Sequence, residues 1–208
     1  INNWVNWTNG VGNFSGASYV MTSLANAAGT SLNATSGSLS MPALTTLTGG
    51  SLQLSGGATA TAGNLTTIAG GTLSLAGGST AAVPKLSNID AANILVSGGV
   101  TLSLPLVQSY TGSSVNSITT TLRASGSGSV LNLPGMTNID IGPGHGVTIQ
   151  IDAQTGGRIN LPNVTQISDA DQNLARRVNV TADGSGSVID FSSLANFLDN
   201  SYWDSNSV

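Results

Sequence analysis

The residues able to do chemistry are few, and they crowd into the second half of the chain. Nine acidic residues, all aspartate, face five lysines and arginines and a single histidine, His145. The first charged side chain is Lys85. Two groupings stand out. Asp152 and Asp183 fall near equivalent places in neighbouring repeats, with Arg158 and Asp190 one strand away. Carboxylates brought together beside a cation can serve as general acid and base in breaking a polysaccharide. These aspartates also lie beside turns, where Asp is common for conformational reasons, and no aromatic subsite lines their strand. Catalysis is therefore the second expectation and binding the first.

The second grouping is Tyr110, Asp140, His145, Asp169, Asp171, Arg176 and Arg177. They sit in or beside three insertions, 111–118, 140–146 and 168–177, that all enter at one corner of the repeat. Insertions on one face of a repeat array often form its binding face. Asp169, Asp171 and Asn173 resemble the opening of a calcium loop. The glycine such a loop needs at its sixth place is Leu174, and its closing glutamate is Val180, so the match to that motif fails. Calcium is a weak candidate and no other metal or cofactor is expected; one histidine without further ligands is a poor metal signal.

What must position these residues is a repeat. A proline or small residue, then an aliphatic two places on and another three places after that, recurs along the chain. Its anchors are Leu44, Leu65, Leu86, Val107, Met136, Val164 and Leu194, at steps of 21, 21, 21, 29, 28 and 30. Ahead of each anchor lies a short alternating stretch whose inward pairs include Leu39/Met41, Ala60/Ala62, Leu102/Leu104 and Ile159/Leu161. A second alternating stretch precedes that one, with pairs such as Leu52/Leu54, Leu73/Leu75 and Ile149/Ile151. Period-two alternation predicts strands. Glycines between the two stretches, as at Gly56–Gly57 and Gly77–Gly78, supply a tight corner.

One such repeat has too little apolar surface to fold alone, but stacked repeats align their aliphatics into columns. Leucine-rich repeats are the competing architecture. Their characteristic leucine spacing is absent, and no amphipathic helix separates the strands. The expectation is an all-β, parallel β-helix (β-solenoid), right-handed by analogy, three-sided, with about eight rungs. Stacking at about 4.8 Å would make a rod roughly 35–40 Å long. Residues 1–16 are expected to be an N-terminal cap, 17–198 the solenoid and 199–208 a C-terminal cap or tail, all one structural domain. Trp4, Trp7 and Phe14 at one end and Phe197, Leu198, Tyr202 and Trp203 at the other would plug the core against edge-to-edge aggregation.

Composition removes several function classes. With net charge −4 and so few basic residues, the electrostatic footprint of a nucleic-acid binder is missing. No apolar run reaches membrane-spanning length, so membrane insertion is not expected. The absence of cysteine excludes thiol chemistry and disulfides. Mean hydropathy of +0.19 and low net charge argue for a buried core over disorder, despite 27 glycines. A third idea comes from the outward ladder Thr59, Thr61, Thr80, Thr101 and Ser103, with Ser38 and Ser40 before it. It looks similar to the Thr-x-Thr faces of solenoid ice-binding proteins, although threonine is also a good exposed strand residue.

The glycine corner, the aliphatic pair, the proline and the Leu-x-x-Ile run together resemble the repeats of large secreted bacterial surface proteins, adhesin-like chains that form parallel β-helices. The likeness spans about residues 17–198 and is one of architecture. It implies adhesion, scaffolding or polysaccharide contact and transfers no functional residue. The chain is thus expected to be a non-catalytic extracellular or cell-surface module, part of a larger surface protein, with a cell-surface glycan as partner. A polysaccharide lyase or hydrolase is the first alternative, and an ice-binding solenoid the second.

Overall fold

The computed structural model describes residues 3–169 and 175–199. Among the described residues every regular element is a strand, and every ladder is parallel. Twenty strands, β1 to β20, wind into eight rungs with three walls.

The continuous wall is an eight-stranded sheet of β1 (Val11–Phe14), β3 (Ser31–Ala34), β5 (Ser51–Leu54), β7 (Thr72–Leu75), β9 (Asn93–Ser97), β12 (Thr119–Ser125), β15 (Thr148–Gln154) and β18 (Arg177–Asp183). The second wall is two four-stranded sheets. One holds β2 (Ser18–Val20), β4 (Ser38–Ser40), β6 (Thr59–Thr61) and β8 (Thr80–Ala82). The other holds β10 (Thr101–Ser103), β13 (Val130–Asn132), β16 (Arg158–Asn160) and β19 (Val188–Asp190). On the third wall, single bridges run Asn6–Asn26–Thr46–Thr67–Asn88. Then a four-stranded sheet takes over, with β11 (Ser109–Thr111), β14 (Asn138–Asp140), β17 (Gln166–Asp169) and β20 (Asn196–Asp199).

Alternation puts one aliphatic column inward per two residues. Leu32, Leu52, Leu73, Ile94, Leu122 and Ile151 stack in register on the continuous wall and are fully buried. The anchor column is buried too as far as Val164, with Leu194 partly buried, and it starts one rung earlier than the proline landmark reveals, at Leu24, twenty residues before Leu44. Thr22 stands there in place of the proline. Glycines make the corner, as expected: Gly56, Gly77 and Gly98 have φ of 57°, 57° and 66°.

The expected cap boundary at residue 16 moves. Val11–Phe14 already pairs in register with Ser31–Ala34, and Asn6 bridges Asn26, so the solenoid begins inside the segment expected to be a cap. Trp7 lies on Gly10 and Gly12, so closely that a Cβ on either would fall 2.0 or 2.5 Å from its ring. Trp4 meets Trp7 edge to face at 5.1 Å, while Phe14 is buried against Tyr19. At the other end Phe197 and Leu198 belong to β20 and are about half exposed; Tyr202 and Trp203 lie outside the described residues.

Candidate functional site

The long rungs place their first two insertions side by side. The segments 112–118, 141–147 and 170–176 each join a third-wall strand to the continuous wall, although residues 170–174 lie outside the described set. Backbone bonds tie the first two together: Gly144 N–H donates to Ser113 O at 3.1 Å and Ser117 N–H to His145 O at 2.8 Å. The Asn116 side chain accepts from His145 N–H at 2.9 Å.

The residues expected to bind there separate by exposure. Tyr110 is a core residue, fully buried, with its hydroxyl donating to Ala92 O at 2.9 Å. Burial pushes its pKa well above the usual tyrosine value, against a lowering bond with the Thr120 hydroxyl and with a smaller push from Asp90. A ligand on the surface does not reach it, which corrects its place among the binding residues. Asp169 and Arg176 are each 4% exposed and form an ion pair, and the Arg176 guanidinium also donates to Gly142 O of the preceding loop. That pair clamps two loops together from within. Asp140 is half-buried, accepting from Gly142 N–H at 2.8 Å and from the Ser168 hydroxyl at 3.4 Å. His145 and Arg177 are exposed. Asp171 and Asn173, two of the three calcium candidates, lie outside the described residues.

The catalytic grouping does not converge. Asp152 is 0% exposed, on the outward face of β15 but sealed beneath its neighbours. Its Oδ2 accepts from Arg123 Nε and Nη2, both at 3.0 Å, from Gln154 Nε2 at 2.8 Å and from Gln150 Nε2 at 3.4 Å. The register sets Arg123 directly opposite Asp152, whereas Asp183 faces Gln154 and Thr181 faces Asp152. So Asp183 is displaced along the strand from the position expected for it. Asp190 belongs to the second wall, where its Oδ1 accepts from Ser192 N–H, and Arg158 bonds Asn160 at 2.6 Å. A general acid or base must reach its substrate; Asp152 is closed off, and the others point from different walls.

The hydroxyl ladder is real but interrupted. Ser18, Ser38, Thr59 and Thr80 form one in-register column, and Val20, Ser40, Thr61 and Ala82 the next. Thr101 and Ser103 begin a different sheet and pair with Val130 and Asn132.

That interruption marks the feature sequence reasoning missed. Between the fourth and fifth rungs only the continuous wall keeps its ladder, through β7 and β9. On the third wall the series Leu47 N–H to Thr67 O and Ile68 N–H to Asn88 O, each 3.0 Å, has no counterpart from Ile89 to Ser109. Likewise Thr66 to Thr45 and Ser87 to Thr66 are bonded, Gln108 to Ser87 is not, and the series resumes with Thr137 to Gln108 at 2.8 Å. On the second wall Met41 to Thr61 and Ala62 to Ala82 are bonded, Val83 to Ser103 is not, and Leu104 to Asn132 is. At the far end of this seam the Asp90 carboxylate accepts from Thr111 N–H at 2.7 Å, and Ala91 N–H donates to Thr111 O at 2.7 Å.

The seam coincides with a step in core size. The second-wall pairs are Ala60/Ala62 and Ala81/Val83 below the seam and Leu102/Leu104 above it, while Tyr110 follows Leu47, Ile68 and Ile89 in the third-wall column. Close-packed cores transmit such added volume to the backbone. Two depressions open along the step and share Asp90. One, about 410 Å³, is lined by Ser87, Asn88, Asp90, Leu106, Gln108 and Ser109. The other, about 400 Å³, lies under the overhanging first insertion, between Gly70 and Ala91 on one side and Ser113 and Val115 on the other.

No protein-family model, no curated protein and no solved structure matches this chain. Among the described residues no group of three or more His, Cys, Asp or Glu is placed to hold a metal ion, and no helix is long and apolar enough to cross a membrane.

Proposed function

We propose that the chain is a non-catalytic extracellular module, an adhesive or structural rod that contacts polysaccharide. The observation that carries this reading is the fate of the aspartates: the most central, Asp152, is spent on an ion pair with Arg123 and on two glutamine amides. What remains exposed carries amides and hydroxyls around open, shallow depressions, which suits repeated weak contacts along a polymer. A cell-surface setting and membership of a larger surface protein go with that role.

The test incubates purified protein with insoluble polysaccharides and measures both retention and new reducing or unsaturated ends. Retention without new ends is expected. Release of chain ends that disappears in Asp183→Ala would make the protein an enzyme, and no retention on any polysaccharide would leave a structural rod only.

A further inference from the structure

We propose that the seam between the fourth and fifth rungs is a saccharide-binding cleft, and that its ligand is an uncharged glycan chain. This rests on the reading of the chain as a polysaccharide-contacting module and assigns that contact a place and a chemistry.

Four observations converge on the seam. First, the third-wall depression is lined by the functional groups a pyranose uses. The side-chain amides of Asn88 and Gln108 both donate and accept, the hydroxyls of Ser87 and Ser109 do the same, and the Asp90 carboxylate accepts. Leu106, 49% exposed, offers an apolar surface to the C–H face of a sugar ring. Few convergent polar groups beside an apolar wall is the usual make-up of a small-ligand site.

Second, the skipped ladder bonds leave backbone groups of Ile89, Gln108, Ser87 and Ser109 without their cross-rung partners. Backbone N–H and C=O groups demand partners, and a hydroxyl-rich ligand supplies them. Third, Asp90 lines both depressions, so the two lie next to each other round the corner and offer adjacent places for consecutive sugar units. Fourth, the one acidic or basic side chain in its lining is Asp90, in a chain of net charge −4. Like-charge repulsion disfavours uronate or sulfated chains.

Titration calorimetry on the full chain with cellohexaose, chitohexaose, maltohexaose and hexagalacturonate tests this. At least one neutral hexasaccharide should bind, with hexagalacturonate at least tenfold weaker. The double variant Asn88→Ala/Gln108→Ala should weaken neutral binding at least tenfold, while His145→Ala/Arg177→Ala on the corner loops stays within twofold. Asp90→Asn, which keeps the acceptor for Thr111 N–H, should weaken binding without lowering the melting temperature. Neutral binding that survives the seam variants but is lost in the loop pair would overturn this inference and leave the general reading standing. Preference for hexagalacturonate would overturn it as well. No binding of any of the four by the unmodified protein would sink both.

Discussion

Arg123 and Asp152 illustrate how one residue pair can look catalytic in sequence and be structural in space. Asp152 is fully buried and Arg123 is 37% exposed, so the two partners do not cost the same to remove. Arg123→Ala leaves a buried carboxylate with only two amide donors, and we expect a loss of about 3–5 kcal/mol. Asp152→Ala frees an arginine that can turn to water, and the loss should be about 1–3 kcal/mol. Denaturant unfolding of the two variants checks the order; equal losses, or a larger loss for Asp152→Ala, would contradict it. Sequence reading singled out Asp152 but not its partner, because nothing local links residues 29 positions apart. Only the register of β12 on β15 does so. Tyr110 misled for a related reason: a tyrosine at the edge of an insertion reads as a binding aromatic, yet it occupies the column of Ile68 and Ile89. Its pKa is raised in the folded state by burial, so between the unfolded value of about 10 and the folded one the unfolded chain holds fewer protons. Stability is therefore intact below pH about 10 and falls as pH rises beyond it. Alkaline unfolding followed by circular dichroism should show this fall, and Tyr110→Phe should flatten it.

At the scale of elements, the columns were legible because strand alternation and rung length are written directly in the spacing of aliphatics. Corners were legible through glycine. Exceptions to the corner pattern locate strain. Thr155 has φ of 50° at a place where the neighbouring rungs carry Gly126 and Gly184, both at positive φ. A β-branched residue in that region is held there at a cost of order 1–3 kcal/mol. Thr155→Gly should raise stability by about 1 kcal/mol after the entropy of the freer unfolded chain is set against it. A midpoint of denaturation that falls instead would show that the threonine methyl packs usefully. The opposite case is Gly71, where an added Cβ would lie 2.2 Å from Gly50 O of the rung below. Gly71→Ala must push two rungs apart and should cost about 1–3 kcal/mol. Where the landmark lacks its proline, at Thr22, the first anchor, Leu24, escaped notice, and β1 fell inside the segment expected to be a cap.

For the whole molecule, stacking makes stability a sum over rungs and the contacts between neighbours. The weakest contact is then set by the poorest match of cross-sections, and that match is a property of two rungs compared, not of either alone. The sequence does carry the step, as Ala81/Val83 against Leu102/Leu104 and Tyr110, together with the change from 21 to 29 residues that follows. What spacing does not disclose is that two walls part while the third stays whole. The rod is therefore joined across its middle by β7 and β9 and, at one corner, by the bonds of Thr111 to Asp90 and Ala91. Residue-resolved amide hydrogen exchange of the free protein tests this most directly, because exchange reports local opening. The amides of Leu73, Leu75, Ile94 and Val96 should be protected as strongly as Leu122 and Ile149, while Val83, Ile89 and Gln108 exchange at least a hundredfold faster than Ala62, Ile68 and Thr137. Equal protection at these two sets of amides would mean that the rungs close on one another there, and would contradict the account.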